Sequence, residues 1–234
     1  FPGHMTKTKR KMQENIKMVD AVAEIVDSRI PFSSRNPDLD KLLASKPRLI
    51  ILNKSDMADP NKTNRVIDFY KKNGIKAIAV ECKKGNSVNL FTPAIKEILK
   101  DKIDAWNKKG LVGRSIKVMI VGVPNVGKSS FINRISKNKK AKVEDRPGVT
   151  RGDQWFSIDK NFDLLDTPGV LWPKFQDQRV AMKLAFTGAV KDQILDTETL
   201  ACNLLEFLSE NYNTNLKERY KLNDTDLSNM SGLD

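Results

Sequence analysis

Short, nearly uninterrupted apolar runs alternate along this chain with longer stretches whose apolar residues recur every three or four positions. Residues 21–26, 49–52, 76–80, 117–121 and 162–165 are the runs. Their length, their valine and isoleucine content and the turn residues beside them predict strands buried on both faces, as in a parallel sheet. Between them the period changes. Residues 12–18 read as the end of an N-terminal helix, and Asn36-Pro37 opens a second helix over 36–44. An amphipathic segment covers 61–73 and is closed by Gly74, and apolar residues at 91, 95, 98, 99 and 103 predict one helix over 91–106. Residues 107–114, with two lysines and two glycines, read as a linker. After residue 177 the pattern is helical only, over 177–186 and 197–211. These elements predict an α/β fold, a six-stranded mostly parallel sheet with helices on both faces, over residues 1–176. A small C-terminal helical region occupies residues 177–234.

The loops after three of the predicted strands carry the candidate chemistry. Residues 122–129 read GVPNVGKS and fit G-x-x-x-x-G-K-[ST] directly after a strand. In such a loop the backbone at Asn125, Val126, Gly127, Lys128, Ser129 and Ser130 cradles phosphates, the following helix points its positive end at them, and Lys128 adds a charge. Ser129 is placed to put its hydroxyl on Mg2+. The purine is chosen by a second motif, Asn53-Lys54-Ser55-Asp56, at the end of the run 49–52. Asp56 can accept two hydrogen bonds from the guanine ring N–H and exocyclic amine, which adenine does not offer, while the Lys54 stem lies over the ring. A third loop, Asp166-Thr167-Pro168-Gly169, offers Asp166 to Mg2+ through water and the Gly169 N–H to a γ-phosphate. Between them lies Pro147-Gly148-Val149-Thr150, a candidate switch in which Thr150 completes the Mg2+ shell.

An ordinary GTPase runs from phosphate loop through switches to guanine motif, whereas here the guanine motif comes first. The chain therefore reads as a circularly permuted P-loop GTPase domain, an arrangement tolerated because domain termini lie close together at the surface. Its motifs resemble those of the permuted ribosome-biogenesis GTPases of the YlqF/RbgA family, from residue 1 to about residue 220. The resemblance is carried by Pro2-Gly3-His4-Met5, Asp27-Ser28-Arg29-Ile30-Pro31, Ser34-Arg35-Asn36-Pro37, NKSD, GVPNVGKS, DRPGVT at 145–150 and DTPGVLWPK at 166–174. It implies a second base-contacting loop at Glu81-Cys82-Lys83, whose backbone N–H reaches the guanine O6, although the usual form is Ser-Ala-Lys. It also implies a longer helical C-terminal domain than the residues after 177 supply, one that contacts ribosomal RNA.

Composition narrows the partners. The chain has 234 residues, 39% of them hydrophobic, with a formal charge of +12. Residues 1–116 hold 24 basic and 13 acidic residues, 117–176 hold 11 and 6, and 177–234 hold 6 and 10. The positive excess thus belongs to the GTPase body, including residues 7–11 and 137–142. Clustered lysine and arginine suit a phosphate backbone and predict salt-sensitive RNA binding, against the alternative of a merely solvated surface. No apolar run approaches the roughly 20 residues that span a bilayer. A cytoplasmic protein, monomeric when free, is the expectation. Cys82 and Cys202 are too few for a disulfide framework and are not spaced as metal ligands.

Hydrolysis needs an oriented water, and where many GTPases have a glutamine after D-x-x-G this chain has Val170 and Leu171. His4, the only histidine, suits proton transfer at neutral pH, and the resemblance makes it a catalytic residue that swings toward the γ-phosphate. The alternative, an expression-tag remnant ending at Met5, is opposed by Lys7, Lys9 and Arg10, which match the family's continuation. Arg146 and Arg151 could serve as cationic fingers, or only as surface charge. Asn125 resembles the asparagine that holds K+ in potassium-stimulated GTPases, or is a turn residue. The reading is a GTP-binding, GTP-hydrolysing assembly factor for the large ribosomal subunit that binds rRNA through a basic surface and is stimulated by the particle, with GTP/GDP, Mg2+ and K+ as cofactors. Two alternatives remain at this stage: an RNA-binding assembly scaffold with GTP as a structural ligand, and an ATP-dependent small-molecule kinase.

Overall fold

In the computed structural model the five apolar runs become β1 (Ala21–Asp27), β2 (Arg48–Asn53), β3 (Lys76–Val80), β4 (Ile116–Val121) and β7 (Phe162–Asp166), and two strands outside those runs, β5 (Lys142–Glu144) and β6 (Gln154–Asp159), join them. They form one sheet in the order β3-β2-β1-β4-β7-β6-β5, of which the first five are mutually parallel and β6 and β5 run antiparallel. Residues 3–43, 45–85, 87–138, 142–144, 154–169, 177–190 and 196–223 are described. The sheet has seven strands rather than the expected six. The extra strand, β5, is three residues of a lysine-rich stretch, where side-chain pattern gives no signal and pairing with β6 supplies the order.

Helices α1 (Gly3–Met18), α2 (Pro37–Leu43) and α3 (Pro60–Lys72) pack on one face of the sheet. Met12 and Ile16 of α1, with Leu39 and Leu43 of α2, close over Val22, Met119, Val121 and Leu165. Val66 and Tyr70 of α3 cover Val26, Ile50 and Leu52. On the opposite side Phe91, which opens α4 (Phe91–Ile98), meets Phe131 of α6 (Lys128–Asn138) and Phe162 with ring centroids 5.3 and 6.4 Å away. All seven residues of β1 are buried, as a strand covered on both faces requires.

Local signals set the ends of the helices. Asn36 accepts from the Asp38 N–H at the start of α2, and Asp59 caps α3 before Pro60. The stretch expected as one helix over 91–106 is two, α4 and α5 (Lys100–Lys108), because Leu99 leaves helical geometry with ψ 9°. In α5 Trp106 lies 4.5 Å from the Arg114 guanidinium and 5.3 Å from the ammonium of Lys102, one turn earlier on the same helix, measured to the ring centroid. Lys102 also reaches Asp20 at 2.7 Å, whose other carboxylate oxygen accepts from the Lys117 N–H. Asp20 thus ties the entry to β1, α5 and β4 together where the permuted connection runs.

The chain divides into two compact units, Phe1–Phe175 and Gln176–Asp234. The second contains α7 (Gln178–Phe186), α8 (Thr197–Asn211) and α9 (Asn213–Tyr220). Asp177 and Asp196 cap the first two, and the third follows Tyr212 without a side-chain cap. Among the described residues no helix is long and apolar enough to cross a membrane.

One ion network sits inside the first unit. Glu24, 1% exposed, faces Arg35 and Arg48 at 3.3 and 3.1 Å, and both arginines also reach Asp40. Burial works against the Arg35 charge, but the Glu24 and Asp40 carboxylates overcome it and hold the guanidinium's pKa above its usual value. A buried carboxylate is tolerable only when so compensated. Glu24→Ala, which removes the buried partner and leaves both cations only the half-exposed Asp40, is expected to cost about 3 kcal/mol in urea unfolding, and Asp40→Ala, at the half-exposed end, less than about 1 kcal/mol.

Candidate nucleotide site

Five parallel strands end along one edge, and their registers deliver the candidate loops to the same place. Asp27 of β1 pairs with Asn53 of β2, Asn53 with Val80 of β3, Glu24 with Val121 of β4, and Ile120 of β4 with Asp166 of β7. Residues 53–56, 81–84, 122–129 and 166–169 therefore all leave the sheet at its carboxyl edge, where doubly wound sheets bind ligands.

Direct bonds join the early motif to the later one. The Asn53 amide donates to the Val126 carbonyl at 2.8 Å, and the Lys54 ammonium donates to the Asn125 carbonyl at 2.8 Å. Lys54 and Asn125 both hold left-handed backbone with φ 60°. That conformation turns Lys54 out of β2 and aims the Asn125 carbonyl outward from the loop. Gly127 is required here: a methyl on it would collide with the Asn53 amide, and its φ is +98°. Ser55 donates to the Val80 carbonyl at 3.0 Å, fixing the motif against β3, while Asp56 stands exposed in the following 3-10 turn.

Within the phosphate loop, Lys128 is buried and donates to the Gly122 and Val123 carbonyls at 3.2 and 3.0 Å. Burial lowers its pKa, with the Asp166 charge opposing. The ammonium is thus held by neutral carbonyls, the state of a cation that can exchange them for phosphate oxygens. Ser129 and Ser130 are exposed on the first turn of α6. Gly169 packs so tightly that a methyl on it would lie 2.9 Å from both Lys128 Nζ and Pro124 Cα. Thr167 donates to the Ile120 carbonyl at 2.6 Å and anchors this loop to β4.

Asp166 offers a test for a divalent cation. Its Oδ1 is buried with no hydrogen-bond partner among the described residues, and burial raises the carboxyl's pKa against the pull of Lys128. A buried anionic oxygen without a donor fits a divalent cation, and the exposed Ser129 hydroxyl is on the adjoining helix. No group of three or more histidine, cysteine or acidic residues that could hold a metal occurs among the described residues, so any ion here would lean on its ligand's oxygens.

Two parts of the site were missed as chemistry in the sequence. Asp27, 1% exposed, takes the Arg29 guanidinium at 2.9 and 2.7 Å and the Lys54 ammonium at 2.9 Å. Burial pushes its carboxyl pKa up, but these donors more than offset it, and the net shift is downward. Asp27 therefore fixes the lysine of the guanine motif. A second carboxylate, at the end of a buried strand that already holds Glu24, was the available signal. Arg134 of α6 donates to the Lys84 carbonyl at 2.6 Å, and Gly85 leaves the room its guanidinium occupies. The loop carrying Cys82 and Lys83 is thus clamped to the helix that follows the phosphate loop. The Cys82 thiol is pushed up to about 11 by burial, with Arg134 opposing, so it is protonated at neutral pH.

His4 lies in the first turn of α1, but its side chain is outside the described residues, as are Arg146, Thr150, Arg151, Val170 and Leu171. Because the collision at Gly127 joins the two motifs, Gly127→Ala is expected to weaken guanine nucleotide binding at least tenfold by calorimetry, while thermal unfolding shows a chain that still folds.

Residues 117–230 match the family described as 50S ribosome-binding GTPase, a match that begins at β4 and leaves the guanine motif upstream. Ribosome biogenesis GTPase A of Priestia megaterium is 48% identical over 225 residues, covering 96% of this chain and 78% of that protein. Mitochondrial ribosome-associated GTPase 1 of Mus musculus is 36% identical, covering 89% of this chain and 66% of that protein. The crystal structure of GNP-bound YlqF from T. maritima aligns with a TM-score of 0.63 at 25% identity, over 94% of this chain and 88% of that one.

Proposed function

This chain belongs to the family of permuted ribosome biogenesis GTPases of the YlqF/RbgA type and is a GTPase; from that premise we propose that it assembles the large ribosomal subunit, binding rRNA and hydrolysing GTP when the particle stimulates it. The observation that supports a single shared ligand is the pair of bonds from Asn53 and Lys54 to the phosphate loop, which bring the two motifs together. What supports the partner is the relatives' ribosomal role together with the basic excess of residues 1–176.

In this reading Asp56 accepts from the guanine N–H groups, Lys54 covers the ring, and the backbone at 82–83 meets O6. The N-terminal end of α6 and Lys128 take the phosphates. Ser129, Asp166 and Thr150 hold Mg2+, which when bound neutralises charge on the β- and γ-phosphates. Thr150 and the Gly169 N–H report the γ-phosphate, so that their ordering ties nucleotide state to the RNA-facing surface. With apolar residues at 170 and 171, His4 positions the attacking water, and the particle orders it.

Single-turnover hydrolysis with and without large ribosomal subunits tests this. The account expects strong stimulation of the unaltered chain and a loss of about 100-fold of the stimulated rate in His4→Ala, with GTP affinity unchanged. No stimulation would return the scaffold reading, and equal stimulated rates would remove His4 from the mechanism.

A further inference from the structure

A backbone N–H that is to meet a guanine oxygen has no side chain to aim it, so it stays on target only if the loop that carries it is held. In the turn at residues 81–85 the holding bonds come from different parts of the chain. At its start the Val80 carbonyl accepts from Ser55, a member of the guanine motif. Within it the Gly85 N–H donates to the Glu81 carbonyl at 3.1 Å and closes the turn. Further along, the Lys84 carbonyl accepts from the Arg134 guanidinium at 2.6 Å, a bond that crosses to α6.

Arg134 is well placed to act as a fixed point. Phe131 and Ile135, on either side of it in α6, are both buried, and Phe131 packs against Phe91. The Phe131 N–H donates to the Gly127 carbonyl at 2.9 Å, which joins this helix to the phosphate loop. The guanidinium occupies the room left at Gly85, where φ is +80° and a methyl would collide with it. Its donor goes to a main-chain carbonyl, which fixes backbone rather than balancing a charge. The Cys82 thiol in the same turn feels the charges of both Arg134 and Asp56, so the clamp and the candidate guanine-reading carboxylate surround one corner.

We propose that Arg134 is a positioning residue for guanine specificity: by holding the Lys84 carbonyl it sets the backbone N–H groups of residues 82–83 against O6. The proposal rests on the reading that these groups meet O6, and adds that α6 serves both ends of the nucleotide.

Calorimetry with three diphosphates tests it. 6-Thioguanosine diphosphate replaces O6 by sulfur, a weaker acceptor, and keeps the N–H groups that Asp56 would bind; inosine diphosphate keeps O6 and lacks the exocyclic amine. The unaltered chain is expected to prefer GDP to the thio analogue by about fivefold, the worth of one hydrogen bond. Arg134→Met keeps a long side chain that cannot donate. It is expected to lower that preference to about twofold or less, while the preference for GDP over inosine diphosphate is unchanged. Gly85→Ala, which drives a methyl into the guanidinium from the loop's side, is expected to do the same, so the test does not depend on one variant's folding.

An unchanged thio preference in a variant that thermal unfolding shows to be folded, or equal losses against all three ligands as general loosening would give, would overturn the role of Arg134 and leave the O6 reading standing. An unaltered chain that takes up GDP and the thio analogue equally well would overturn both.

Discussion

The hydrogen bond from the Asn53 amide to the Val126 carbonyl is the constraint around which the site is organised. It spans most of the sequence distance between the two motifs, fills the space that Gly127 leaves, and holds the end of β2 against the phosphate loop. The Lys54 bonds to the Asn125 carbonyl and to Asp27 run beside it. Together these contacts hold two candidate loops, far apart in the sequence, against one another. The sheet allows this because β1 lies between β2 and β4, and the parallel registers bring every carboxyl end to the same edge.

Permutation carries a mechanical consequence. The two candidate motifs meet across β1, through side chains that end β2 and backbone carbonyls of the loop after β4, and they are linked again through Arg134, which joins α6 to the loop after β3. The permuted connection is itself tied down by Asp20. The remaining electrostatic investment lies one face away, at Glu24, Arg35, Arg48 and Asp40, where ion pairing holds α2 and the following strand to β1.

Much of this was legible in the residues. Apolar runs at 21–26, 49–52 and 117–121 mark strands because burial on both faces leaves little choice of side chain. Asn36, before Pro37, marks a helix start by local capping chemistry. What escaped depends on tertiary context. β5 and β6 lie outside the apolar runs and are ordered by pairing with each other and with β7, and the helix that begins after the break at Leu99 carries Lys102, whose partner Asp20 is far away in the sequence. Asp27 entered only as part of a family motif with no role attached and Arg134 not at all, since both hold other residues of the candidate site. His4, Thr150 and the arginines beside Thr150 were named from the sequence, and their side chains fall outside the described residues.

The central claim is that Asp56 and the phosphate loop read the two ends of a single guanine nucleotide. Calorimetry of the chain and of Asp56→Asn with GDP, ADP and xanthosine diphosphate tests it most directly. The unaltered chain should bind GDP at one site and ignore ADP, and Asp56→Asn should exchange GDP for xanthosine diphosphate, whose ring oxygen suits an amide donor. Equal uptake of GDP and ADP, or an Asp56→Asn chain that still prefers GDP, would contradict the account.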